Sequence, residues 1–526
     1  MTSPDSTYSK PFFTVPEQIR RLRERGMDCG TDAFATEVLE RYGYYRLSGY
    51  WHLYRGRPMP PDRQFDVNDR EIRLDTFIPG TSLSHVVSLY DFDHDLRTRL
   101  SDVLSTIEIS FRFFIGHRLG KVDKFAHRNP EILDAMREVD PHVLIRAWNT
   151  VTRQPSRSRR EPTKAYRDWL SEYDRHEKRA KDGFVLHFRE QYGPHLPIWV
   201  ATEVMSFGVL SNLYTLMRDS DQKILAARFQ IYAADGRADF GALANWLNNL
   251  RNVRNICAHY GRVWNRTFDV LIDAPGQSRK DADDHLSRLV DVSINNKLYG
   301  VLLIMRHLLL SIAPDRTDVI DIADFIDSES KRIPFAMRQL GFPDDWRTDP
   351  IWDHGFTLDR APMLAASLLD STECLTVSET RAGLYAAEPR ESKTPRTSAQ
   401  QAAAKNGAQK DLLRTYCRYK VVIEVELGAA KYYPAFQFRN GKIIDALAET
   451  NQELAARCVD VRPVQVAAAL LDWWQTPHLD LPATGEGVVQ SPLELLGSVS
   501  ETDFTTVIAE TDAISSFVVP EPWGVL

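Results

Sequence analysis

Residues 83–119 read LSHVVSLYDFDHDLRTRLSDVLSTIEISFRFFIGHRL. Within them Leu89, Phe92, Leu96, Leu100, Val103, Leu104, Ile107, Phe111, Phe114 and Ile115 recur at spacings of three and four. At 3.6 residues per turn such positions share one stripe, which predicts a long amphipathic helix. The same period returns over 199–217, 222–232, 240–257 and 297–312. Alternation of period two is scarce before residue 350, so the first part of the chain reads as all-α and the whole as mainly α.

The later part reads differently. From 376 to 410 the composition shifts to Ser, Thr, Ala, Gln, Glu, Lys and Arg, a linker pattern. Beyond it 418–427 is strand-like, 432–438 is a second short strand, and Asn440-Gly441 marks a turn. Helices follow, clearest over 464–474. The expected organisation is a helical domain over 1–345, a connecting segment and flexible linker over 346–410, and a small α+β domain over 411–526. A polar insert at about 150–182 interrupts the first domain. Between 153 and 181 it holds ten bases, among them Arg157, Arg159 and Arg160, against five acids. A solvated loop or helical hairpin is the plain reading, and a phosphate-contacting flap is the sharper one. Aromatic residues crowd 42–54, which suits a packing surface before it suits base stacking.

With 526 residues, 43% hydrophobic and 26% charged, the chain is too long for one core and too apolar for wholesale disorder. A net charge of -7 argues against a surface built throughout to coat nucleic acid, yet leaves room for a local basic groove. The five cysteines, Cys29, Cys257, Cys374, Cys417 and Cys458, are odd in number and contain no C-x-x-C pair. Neither a structural zinc site nor a disulfide framework is suggested, and a reducing compartment fits. No basic start with a long apolar run opens the chain. The nearest approach to a membrane span, 297–312, is interrupted by Arg306 and His307. A soluble, cytoplasmic protein without a membrane partner is expected.

Cutting RNA without a metal needs a base for the 2′-hydroxyl, a counter-charge for the phosphorane and an acid for the leaving 5′-oxygen. Histidine suits the proton transfers, with an unperturbed pKa of about 6.5, and arginine suits the phosphate because it stays charged and forked. The spacing Arg-x4-His occurs at Arg112/His117, Arg137/His142 and Arg254/His259, so at least two of the three are incidental. The third has distinctive surroundings: Trp246, Leu250, Val253 and Cys257 form a buried stripe, and Arg254 and Asn255 lie off it. Five residues turn about 140° round a helix, so Arg254 and His259 share a face only if the helix ends near Ala258. Gly261 offers that stop. Asp91, Asp93, His94 and Asp95 have the residue types of a metal cluster, but a solvated or salt-bridged face is the better reading.

The run Arg254-Asn255-Ile-Cys-Ala-His259-Tyr-Gly-Arg262-Val-Trp-Asn-Arg266 resembles the signature of Abi-like (abortive-infection) proteins of the HEPN superfamily. Four further stretches resemble the family in order. They are Gly43 to Trp51, Leu89 to Arg97, Ile107-Glu108 with Arg112, and Leu196 to Trp199 with Glu203 and Phe207-Gly208. The resemblance covers roughly 15–310. It implies a HEPN-type helical bundle, metal-independent endoribonuclease activity of phage-defence or toxin type, no cofactor, and a homodimer whose two motifs meet in one composite site. Carried over, His259 is the general acid/base, Arg254 the phosphate clamp and Asn255 an orienting group. Glu108 and Arg112 support them, unless they are only an i,i+4 ion pair. Arg157, Arg159, Arg160 and Arg262 are the expected RNA contacts.

A second resemblance follows the linker. Lys431-Tyr-Tyr-Pro-Ala-Phe-Gln-Phe438, Val464 to Trp474, Thr476-Pro477-His478 and Ser491-Pro-Leu-Glu-Leu-Leu496 are similar to the toxin-binding region of Xre/MbcA/ParS-type antitoxins. His478 stands where that family has asparagine. This resemblance implies a regulatory or protein-binding module, with an antitoxin RNA or protein as a further partner. The alternative to a nuclease is a non-catalytic RNA- or protein-binding module of a toxin–antitoxin or abortive-infection system.

Overall fold

The computed structural model describes residues 11–59, 64–65, 72–139, 159–276, 285–333, 335–387, 413–483, 488–515 and 517. Three short helices, α1 (Val15–Glu24), α2 (Asp32–Tyr42) and α3 (Tyr44–Trp51), lead into α4 (Leu83–Gly120). α4 is the helix expected from 83–119, and at 1.5 Å per residue it is roughly 57 Å long. The Ser82 hydroxyl accepts the His85 amide at its start, satisfying one orphan donor. Its predicted stripe is buried from Leu89 to Ile115, with only Phe114 half-exposed.

A two-stranded antiparallel sheet follows, β1 (Met136–Val139) and β2 (Arg159–Pro162), with Met136 opposite Pro162. This hairpin corrects the all-α reading of the first part. Then come α5 (Lys164–Arg179), α6 (Gly183–Tyr192), the single turn α7 (Ile198–Ala201), α8 (Phe207–Leu216) and α9 (Asp219–Arg228). The single helix expected over 199–217 is two, because Ser206 turns its hydroxyl onto the Val209 amide and starts α8 afresh. From Lys164 the insert is helical, as the hairpin alternative had it, but α5 is not simply solvated. Its Tyr166, Trp169, Tyr173 and Glu177 are buried, and the Trp169 indole donates to the Val209 carbonyl at 2.9 Å.

Next are α10 (Phe240–Ala258), α11 (Leu298–Ile312) and α12 (Asp318–Arg332), all packed with α3 against α4. α11 is buried on every side from Leu298 to Leu310, as a helix apolar all round must be. Its Arg306 and His307 are satisfied inside. Arg306 donates to the carbonyls of Ile351 and Arg316, and His307 Nε2 lies 2.7 Å from the Phe229 carbonyl. Among the described residues no helix is long and apolar enough to cross a membrane.

The C-terminal unit is small and α+β. It comprises α13 (Ala361–Ser371), β3 (Cys374–Thr376), α14 (Val377–Ala387), β4 (Val425–Leu427), β5 (Ala430–Pro434), β6 (Phe438–Arg439), β7 (Lys442–Ile443), α15 (Asp445–Ala456), α16 (Pro463–Gln475), α17 (Pro492–Ser498) and α18 (Glu501–Glu510). The sheet order is β3-β5-β4, antiparallel throughout. The expected strands are shorter than read, since Pro434 lacks the amide a ladder needs and the chain leaves into a 3₁₀ turn. The Asn440-Gly441 turn joins β6 to β7 with both residues at positive φ, 53° and 76°.

The segment expected as connector and linker is structured as far as Ala387. Ala365, Ala366 and Leu369 of α13 pack against Ile224 and Ala227 of α9 and against Leu470 and Trp474 of α16. Residues 388–412 lie outside the described residues. The unit is also clasped by α4. Arg118 pairs with Asp221 at 2.7 Å and Asp370 at 3.0 Å, and Lys121 donates to the carbonyls of Leu369 in the last turn of α13 and of Thr372 just past it. Cations at a helix C-terminus are favoured by its dipole.

Candidate functional site

Helix α10 carries the site and is seated by its buried stripe, Trp246, Leu250, Val253 and Cys257. Its last turn closes as a Schellman motif. The Tyr260 amide donates to the Cys257 carbonyl at 3.1 Å, and the Gly261 amide to the Ile256 carbonyl at 2.8 Å. The left-handed position falls on Tyr260, at φ 56°, and not on a glycine. Gly261 serves by close approach instead, because a Cβ there would sit 3.1 Å from Ile256 Cγ2 and 3.2 Å from its carbonyl. His259 is the C-cap, off the helical spiral, which meets the condition that the 140° offset imposed. Asn255, His259 and Tyr260 are exposed, and the Arg254 side chain is 41% exposed.

Behind Arg254 stands Glu108 of α4, whose side chain is 7% exposed. One of its oxygens accepts Arg112 Nη2 at 2.7 Å, and the other lies 3.5 Å from Arg254 Nε. The i,i+4 pair therefore exists, and it also reaches the site. Arg112 Nη2 further donates to the Met205 carbonyl at 3.1 Å.

The loop after His259 is pinned by a residue not singled out for the site. The carboxylate of Asp93, fully buried, accepts the amides of Val263 and Trp264 at 3.1 and 2.6 Å, the Tyr50 hydroxyl at 2.7 Å, and Arg97. Burial pushes this carboxyl up from its usual range, while Arg97, Tyr50 and the two amides pull against it. Arg46 Nη1 donates to the Tyr260 carbonyl at 3.1 Å, and Arg262 to the Gly49 carbonyl. The aromatic run 42–54 thus packs beneath the site, with Tyr50 and Trp51 buried and Tyr50 stacked on Trp264. Asp93, read with Asp91, His94 and Asp95 as a solvated or salt-bridged face, is salt-bridged to Arg97 but fully buried, on the inner face of α4 one residue after Phe92.

Burial raises the Cys257 thiol to about 11, so it stays protonated at neutral pH and is no nucleophile. Of the expected RNA contacts, Arg157 lies outside the described residues, Arg159 and Arg160 are on β2 with Arg160 exposed, and Arg262 is half-buried against Gly49. In the Arg112/His117 motif, His117 stacks on Phe113. In the other, His142 lies outside the described residues. Among the described residues no group of three or more His, Cys, Asp or Glu is placed to hold a metal ion.

Residues 37–265 match the model of the Abi-like protein family. The match supports an abortive-infection family and spans α3 to Asn265, and so every residue described at this site. α11, α12 and the C-terminal unit lie beyond the Abi-like segment. Comparisons with curated proteins and with solved structures give no match.

Proposed function

We propose that the chain is a metal-independent endoribonuclease of phage-defence or toxin type, acting through Arg254 and His259. The observation that carries this reading is the pairing of Arg254 with buried Glu108 beside an exposed His259, inside the Abi-like segment. Glu108 fixes the stem of Arg254 through Nε and leaves the outer fork for a phosphate. A 2′-hydroxyl attacks the neighbouring phosphorus, the P–O5′ bond breaks, and a 2′,3′-cyclic phosphate and a 5′-hydroxyl result. One proton leaves the nucleophile while another reaches the leaving oxygen. A single His259 serves one transfer at a time, so a homodimer that brings two motifs together supplies both. Asn255, exposed next to Arg254, orients the phosphate. The C-terminal unit, clasped to α4, is the regulatory part in this reading and the place where an antitoxin or trigger acts.

Induced expression of the wild type, Arg254→Ala and His259→Ala tests it by growth and total-RNA integrity. Both substitutions should abolish RNA degradation while the proteins stay folded, and His259→Ala should keep RNA binding. If the three behave alike, the site is structural, and the module binds without cutting.

A further inference from the structure

One turn before Arg254 on α10 is Arg251, which the proposed chemistry does not use. Its stem crosses the first turn of α8. A Cβ at Gly208 would lie 3.4 Å from Arg251 Cδ and 4.0 Å from Nη1. Arg112 reaches the segment just before that turn from α4, through its bond to the Met205 carbonyl. Arg251 is half-buried; its Nη2 is held by the Asn248 amide oxygen, and its Nε is buried without a partner. Arg112 Nε is likewise buried and unpartnered. Among the described residues no carboxylate pairs with Arg251, and Glu108 alone serves both Arg112 and Arg254. Two of the three guanidinium groups therefore share one carboxylate, and the third has none among the described residues. Partly buried charge of one sign is costly unless something neutralises it, and planar guanidinium forks match phosphate.

We propose that Arg251, with Arg112, forms a second phosphate seat that holds the phosphate next to the scissile one, so that the substrate is a polynucleotide strand and not a mononucleotide. Positions i and i+3 on a helix are neighbours, about 5–6 Å apart at Cβ, so Arg251 and Arg254 meet successive phosphates of one strand. The inference rests on the ribonuclease reading and adds the direction in which RNA crosses the site, from the end of α10 toward the start of α8.

The test uses full-length His259→Ala protein, in which RNA is not consumed, and a fluorescent single-stranded RNA of about twelve nucleotides. Anisotropy titrations run across roughly 50–200 mM salt. Arg251→Gln in that background should weaken binding about tenfold and lower the slope of log affinity against log salt by about one. Arg251→Lys, which keeps the charge, should retain the slope, and it serves as the second variant should the glutamine destabilise the fold. Unchanged affinity and slope in Arg251→Gln, alongside weakening by Arg254→Gln, would overturn the second seat and leave the ribonuclease reading standing. Absence of RNA binding by the His259→Ala parent would overturn both.

Discussion

Replacing Glu108 by glutamine removes the one charge that Arg112 and Arg254 share. At the 3.5 Å separation of Glu108 and Arg254, the attraction is about 1 kcal/mol at the dielectric of water and about 5 kcal/mol at an effective value of 20. Arg254 is 41% exposed, so solvent screening places its coupling to Glu108 near the lower limit, about 1–2 kcal/mol. The Arg112 pair is better buried, and losing it strands a guanidinium whose Nε already lacks a partner. Glu108→Gln should therefore cost about 3 kcal/mol, and Arg254→Ala about 1–2 kcal/mol. Urea unfolding of the wild type, both single variants and the double variant measures the coupling directly. The double variant should be more stable than the sum of the singles predicts, by about 1–2 kcal/mol. Additivity within about 0.4 kcal/mol would refute the claim that Glu108 positions Arg254.

Asp93→Asn leaves Arg97, buried with it, without a carboxylate; a loss of about 3–5 kcal/mol in chemical denaturation is expected, and a loss under about 1 kcal/mol would show the anchor to be dispensable. Gly300→Ala puts a Cβ 2.6 Å from the Ile294 carbonyl at the start of α11, where backbone must yield; thermal melts should register about 2–3 kcal/mol of destabilisation. Burial draws His127 down to about 3 and His285 to about 4, so the unfolded chain takes up their protons first as pH falls. Stability is then full above about pH 6.5 and declines below it, each histidine removing about 2 kcal/mol between pH 6.5 and 5. Urea midpoints that stay level over that range would mean that neither ring is held neutral.

Periodicity alone located α4, α10 and α11, because each presents a long apolar stripe or an all-apolar surface and nothing local opposes it. The same rule joined α7 to α8, since it does not weigh the Ser206 cap. In the insert, the count of bases concealed Tyr166, Trp169 and Tyr173, which recur at helical spacing beneath the charges. For the site, the motif and its flanks singled out Arg254, Asn255 and His259, and Glu108 with Arg112 as their support. The role of Asp93 escaped: the solvated or salt-bridged reading foresaw a partner such as Arg97, but not the two loop amides that the fold delivers to it. Glycine rules put the helix stop at the right place but on the neighbouring residue. Tyr260 takes the left-handed turn at a cost of about 1 kcal/mol, and Gly261 clears the way for Ile256.

α4 is one uninterrupted helix that bears Glu108 on one stretch and Arg118, ten residues further on, near its end, with Lys121 capping it. A helix resists both bending and torsion, so these two regions turn together as the ends of a short axle, roughly 15 Å apart. The C-terminal unit hangs on one end and the carboxylate beneath Arg254 on the other. Sequence drift in the outer helices of that unit can alter what it grips, while the axle and both bearings stay as they are. Because the helix is unbroken, the ten residues from Glu108 to Arg118 fix both the distance and the angle between the two bearings.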